Sequence, residues 1–109
     1  GLEVVRTGTE VGHSYHLLSY AQGPQKLYEP FLVIMDDASE EFPNFCHPGH
    51  EFLYLLEGEL VYRHGTRLYP MLPGDSLSFD GGVPHGPEKL ITVPIRLLSI
   101  IHYDENDDR

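Results

Sequence analysis

Apolar positions along this chain come in short bursts. Tyr15–Tyr20, Phe31–Met35, Phe52–Leu56, Leu60–Tyr62, Leu77–Phe79 and Ile91–Tyr103 are rich in β-branched and aromatic residues, and turn-forming residues separate them. No stretch keeps a 3.6-residue apolar period over three turns, so little helix is expected. Gly58 reads as a turn between two strands, and so do His64-Gly65-Thr66 and Leu72-Pro73-Gly74-Asp75. Pro94 interrupts the last apolar segment and marks a strand start, an edge or a bulge. The pattern predicts about eight to ten short strands in an all-β sandwich or jelly-roll barrel, a form that often holds a pocket at one mouth.

The chain has 109 residues, 40% of them hydrophobic, which is one domain's length with enough apolar material for a core. Its formal net charge is −10, and its seven Lys and Arg are scattered. Gripping DNA or RNA needs clustered cations to displace phosphate counterions, so this chain is not expected to bind nucleic acid itself, and a membrane surface is disfavoured for the same reason. No apolar run approaches a membrane span. The single cysteine, Cys46, excludes an intrachain disulfide. That fits a reducing compartment, here the cytoplasm. The chain opens Gly1-Leu2-Glu3 without Met and is expected to be one domain, 1–109, of a longer protein. Residues 104–109 read as a solvated acidic tail.

Candidate chemistry concentrates between Phe45 and His85. His47-Pro48-Gly49-His50-Glu51 places a turn between an imidazole and a carboxylate, and Gly81-Gly82-Val83-Pro84 leads into His85. Imidazole nitrogen and carboxylate oxygen bind transition metals at roughly 2.0–2.2 Å. Two His and one carboxylate leave coordination positions open for water or substrate. The same set can instead line a polar pocket without a metal.

The spacing His47-x3-Glu51-x6-Gly58 resembles the second half of the first cupin motif. Gly74-x5-Asp80-x-Gly82-x2-His85 resembles the second, with Asp80 where Pro is usual. The wording around them, Cys-His-Pro-Gly-His-Glu-Phe-Leu-Tyr-Leu-Leu-Glu-Gly-Glu-Leu and Ser-Phe-Asp-Gly-Gly-Val-Pro-His-Gly-Pro, is similar to the C-terminal cupin of XRE-type bacterial transcription regulators. The resemblance covers core motifs at 45–89, and flanking strands extend it over most of the chain. It implies a double-stranded β-helix with a pocket inside the barrel, usually as a homodimer. It also implies a metal site at His47, Glu51 and His85, with Zn, Fe, Mn or Ni as candidates. Two positions depart from the family: Phe45 stands where the first motif His belongs, and Lys89 where an Asn often closes the second motif.

On this resemblance the expected function is a sensor module. Its pocket, lined by Phe45, His47, Glu51 and His85, would bind a small-molecule effector. DNA would be reached only through a separate helix-turn-helix domain that this chain lacks. The alternative is a stand-alone metal-dependent cupin enzyme, a dioxygenase, isomerase or decarboxylase acting on a small acid. No Ser-His-Asp or Cys-His arrangement can be drawn, and no catalytic residue is assigned. Cys46 is expected to pack, facing away from Phe45 and His47. Tyr54 and Tyr62 are expected in the core. His13, His16, His64 and His102 are expected at the surface or an edge. Arg63, Arg67 and Arg96 are weak candidates for an anionic ligand. Gly58, Gly74 and Gly82 are expected to serve turns, and Asp75 to be a turn residue.

Overall fold

The computed structural model describes the backbone of residues 5–10 and 13–17, and residues 28–103. The described residues form seven strands: β1 Val5–Glu10, β2 His13–Leu17, β3 Tyr28–Met35, β4 His50–His64, β5 Arg67–Met71, β6 Ser76–Asp80 and β7 His85–His102. All pair antiparallel, in the order β1-β2-β3-β7-β4-β5, with β6 on β4. No described residue is helical. The all-β expectation holds. Of the expected segment at 15–20, residues 15–17 fall in β2 and the rest lies outside the described residues.

The expected Gly58 turn is corrected: β4 runs straight through it as one 15-residue strand. Gly58 has φ +88°, and a Cβ there would lie 2.6 Å from the Pro94 carbonyl and 2.7 Å from that of Thr92. It is a bulge in the β4–β7 ladder, whose register shifts around positions 55–60. The bulge also reverses which parity faces inward. Glu51, Leu53 and Leu55 are buried before it, Leu60 and Tyr62 after it. Tyr54 is therefore turned out, 36% exposed, rather than in the core as expected, while Tyr62 is buried. Bending lets one end of β4 pair with β6 and the other with β5.

β7 likewise runs 18 residues through Pro94, in keeping with a bulge there. Two long strands thus replace several of the short ones expected. β5, too brief and too broken by Pro70 to stand out in the sequence, closes a hairpin at Gly65-Thr66, where His64 pairs with Arg67. At the other turn, Pro73 and Gly74 (φ +94°) occupy the central positions, and Asp75 accepts the Leu72 amide at 2.8 Å.

The core is the inward rows of β3, β4, β5 and β7: Val33, Met35, Leu53, Leu55, Leu60, Tyr62, Met71, Leu90, Ile95 and Leu97. Each such side chain contributes on the order of 1.5–3 kcal/mol by leaving water. Among the described residues, three buried polar ones share this interior: Glu51, His85 and Ser99. Unsupported, each would cost several kcal/mol, so what they bond to defines the site.

Candidate metal centre and pocket

Glu51 opens the inward row of β4 and Ser99 lies in that of β7, beside it across the ladder, where Leu53 pairs with Ser99. His85 begins β7. Its backbone is tied to Phe45 in both directions, Phe45 N–H to His85 O at 2.7 Å and His85 N–H to Phe45 O at 3.0 Å. His47 sits in the preceding loop, where its amide donates to Gly81 O at 2.9 Å. The Gly81 amide donates to Gly49 O at 2.8 Å, which fastens the two loops together.

These ties aim three side chains at one point. His47 Nε2 lies 2.7 Å from Glu51 Oε1, and His85 Nε2 lies 3.2 Å from the same oxygen. The rings meet edge to face, with centroids 5.0 Å apart. One ligand atom from each residue falls within 4.8 Å of the others, which makes this a three-residue group able to hold a metal ion. Donors sharing a metal at roughly 2.1 Å sit about 3 Å apart, close to the spacings found.

The far ring nitrogens settle the proton placement. His47 Nδ1 is 2.9 Å from Pro48 O, and His85 Nδ1 is 2.8 Å from Val83 O. A carbonyl only accepts, so each Nδ1 carries hydrogen. In its neutral form each ring then points a bare Nε2 lone pair at an anionic oxygen. Three electron-pair donors converging this way need a cation among them, either ring protons or a metal. A histidine donating its other N–H to a backbone carbonyl is also how protein sites orient metal ligands.

Burial pushes the Glu51 carboxyl up, but hydrogen bonds from His47, His85 and Ser99 outweigh it and hold the group down at about 2. Ser99 Oγ donates to Glu51 Oε2 at 2.8 Å. The Glu51 hydrogen bond raises the His47 imidazole, against an opposing push from burial. Phe79 and Tyr62 flank the His85 ring, with centroids 4.8 and 6.4 Å away.

The cluster borders a cavity of about 670 Å³, within the range of small-molecule sites. Its inner wall is apolar, with Phe31, Val33, Met35, Leu53, Leu97 and Ile101. The structure therefore brings His47, Glu51 and His85 together and sets Phe45 on the same cavity wall as a ring. His50 is exposed and outside the cluster.

Several expectations change here. Cys46 does not pack: it is exposed and lines the cavity beside Phe45 and His47, because the loop touches a strand only by a single bridge and keeps no strict alternation. Gly82 lies in a turn as expected, closed by the Val83 amide on Asp80 O at 3.2 Å, while the close approach that demands glycine falls at Gly81, where a Cβ would overlap the His47 ring. The Arg63 guanidinium is engaged within the protein. It donates to Asn44 Oδ1 and Glu88 Oε1, each at 2.7 Å, and to the carbonyls of Phe42, Pro43 and Pro87, which pins the cavity rim. Arg67 and Arg96 are exposed and off the cavity. His102 is exposed and His64 packs on Phe79; the side chains of His13 and His16 lie outside the described residues. Sequence reasoning missed Ser99, although it stands out as the polar residue in the alternating row Ile95, Leu97, Ser99, Ile101.

A family model described as a cupin domain matches residues 31–101. No curated protein matches the chain. Among solved structures, the cupin domain of an XRE family transcriptional regulator from Enterobacter cloacae is similar, at TM-score 0.70 and 19% identity, covering 85% of this chain and 98% of that one. DMSP lyase DddQ from Ruegeria pomeroyi DSS-3 is similar at 0.72 and 23%, covering 89% of this chain and 50% of that one. Iron(II) HppE is similar at 0.69 and 19%, covering 92% and 56%. This chain spans about half the length of those last two proteins. At such identities the likeness is one of fold.

Proposed function

The chain belongs to the cupin domain family, and from that premise we propose that it is a small-molecule sensor domain whose cavity binds an effector beside a divalent metal. His47, Glu51 and His85 are the proposed metal ligands, and Phe45 forms part of the effector's wall. The observation that carries the reading is the convergence of two Nε2 nitrogens on one Glu51 oxygen at the edge of an apolar cavity. Zn, Fe, Mn and Ni all accept this donor set. The metal supplies a Lewis-acidic position to which an effector's oxygen or nitrogen can bind.

The sensor role is favoured by how completely the XRE regulator's cupin domain is covered. In this reading the domain works as a homodimer in the cytoplasm and acts on DNA through an attached helix-turn-helix domain. An effector then biases the regulator by binding one of its states more tightly than the other. A second reading is a metal-dependent enzyme. Three ligands leave positions for substrate, and the similar folds include a lyase and an iron(II) protein.

The test is elemental mass spectrometry on protein purified without a chelator or polyhistidine tag. Near-stoichiometric transition metal, lost in Glu51→Ala, is the expected result. Metal-free protein that also refuses added Zn(II), Mn(II), Fe(II) and Ni(II) would overturn the reading.

A further inference from the structure

The Glu51 carboxylate is divided between two sets of partners. Its Oε1 meets the two imidazoles, His47 Nε2 at 2.7 Å and His85 Nε2 at 3.2 Å. Its Oε2 accepts the Ser99 hydroxyl at 2.8 Å, in a contact buried from solvent. Ser99 is 5% exposed and Glu51 8%. The strand that carries Ser99 is paired along both edges: Ser99 stands opposite Leu53 on β4 and opposite Phe31 on β3. The hydroxyl is therefore placed by the sheet itself and has little freedom to withdraw from Glu51. Leu97 and Ile101, its neighbours in the inward row, are apolar and offer Oε2 no donor. A serine hydroxyl has one hydrogen, and here it goes to the oxygen that the imidazoles do not share.

We propose that Ser99 is a positioning residue of the metal centre: its hydroxyl occupies Glu51 Oε2 and so makes Glu51 a one-oxygen ligand, through Oε1. This role rests on the metal reading above and adds how many coordination positions the protein itself fills. A carboxylate binds a divalent ion through one oxygen or through both. Binding through both needs each oxygen free to approach the ion. Here chelation would have to break a buried, charge-assisted hydrogen bond, the stronger kind. While that bond stands, the three residues fill three positions, and an oxygen donor entering from the cavity finds the others open. Without the hydroxyl, Oε2 is a buried acceptor left without its donor, a costly state. The ion already bound to Oε1 then satisfies it, and the position that chelation takes up is one the cavity's ligand would use. Ser99 thus governs what the centre accepts rather than whether it forms.

The experiment is difference infrared spectroscopy of the full chain, Zn(II)-loaded against metal-free, for the parent, Ser99→Ala and Ser99→Thr, the last keeping the hydroxyl. One-oxygen ligation separates the antisymmetric and symmetric carboxylate stretches widely, and two-oxygen ligation brings them together. The parent and Ser99→Thr are expected to show the wide separation, and Ser99→Ala the narrow one. Chelator competition should find Zn(II) affinity in Ser99→Ala close to the parent's, because the second oxygen replaces what the hydroxyl gave. A hydrogen bond that merely steadied the ligand would instead cost roughly tenfold to a hundredfold in that affinity when lost. Calorimetry with hexanohydroxamate, a two-oxygen head on an apolar body, should show binding about tenfold weaker to zinc-loaded Ser99→Ala. A narrow separation in the parent, or a wide one kept by zinc-loaded Ser99→Ala, overturns the inference and leaves the metal site standing. Loss of zinc from Ser99→Ala but not from Ser99→Thr overturns it too, since the hydroxyl then only steadies Glu51. If Ser99→Thr behaves as Ser99→Ala does, the hydroxyl is not the cause and the inference falls. A parent chain that takes up no metal brings down both readings.

Discussion

Gly81 lies flat against the imidazole of His47: a Cβ built there would overlap Cε1 and Nδ1 and come within 2.9 Å of Nε2. The glycine is needed for space, not for a left-handed backbone, since its φ is not positive. Gly81→Ala must therefore displace the ring from Glu51 or push apart the two loops joined by the His47 and Gly81 amides. The expected outcome is a loss of about 1–3 kcal/mol in stability and a fall of roughly tenfold to a hundredfold in metal affinity. Metal titration together with circular dichroism checks it. A variant that binds metal as the parent does would show that His47 is not a ligand.

Glu51 makes the metal-free protein's stability depend on pH in two directions. Its folded carboxyl, held at about 2, lies below its ordinary 4.5, so its contribution is full above about pH 4.5 and disappears as pH falls towards 2. That contribution is on the order of 3 kcal/mol. His47 is shifted upward from 6.5 by Glu51. Its contribution is full below pH 6.5 and is lost as pH rises through the raised folded value. Chemical denaturation of metal-free protein should thus give greatest stability near pH 5–6, with decline on both sides. Glu51→Gln removes the charge behind both shifts, so its profile should be flatter; an unchanged profile would dissociate the two groups.

Arg63 is predicted to hold the cavity rim rather than a ligand. Its planar fork meets Asn44, Glu88 and three backbone carbonyls, and a lysine cannot reproduce that geometry. Arg63→Lys should cost about 1–3 kcal/mol and speed hydrogen exchange at the Phe45 and His47 amides several-fold, with metal content little changed. Exchange measured by mass spectrometry on peptides covering 42–47 decides it.

Much of the site was legible in the sequence because its logic is local. His47 and Glu51 flank a Pro-Gly turn, and His85 follows a Gly-Gly-Val-Pro lead-in, so spacing alone suggested convergence. What escaped depends on pairing between distant strands. The reading of Gly58 as a turn failed because only the β7 carbonyls of Thr92 and Pro94 reveal it as a bulge. That bulge then reversed the inward parity and turned Tyr54 out. Gly81 and Gly82 look alike in sequence, and only the position of the His47 ring distinguishes them. Cys46 was misjudged because strand alternation was applied to a loop. Ser99 alone carried a readable signal, a hydroxyl breaking an apolar alternation.

Phe45 gives the sharpest test of whether the centre is limited by ligand number. Its backbone is bridged to His85, so its side chain leaves the loop alongside the cluster, and it lines the same cavity as His47 and Glu51. Phe45→His puts an imidazole where the first cupin motif normally has one. A fourth donor on a shared ion adds a bond without reordering the fold, because both backbone hydrogen bonds to His85 remain available. Metal affinity should rise about tenfold or more at neutral pH, and bound metal should persist to lower pH, since a further ligand must be protonated before the ion leaves. The cavity should lose aromatic wall at the same time, so probes with an apolar body should bind the metal-loaded variant more weakly. Competition against a chromophoric chelator measures the first effect, and calorimetry with hexanohydroxamate the second. If metal affinity does not change, position 45 does not reach the centre, and the three-residue set is complete as it stands.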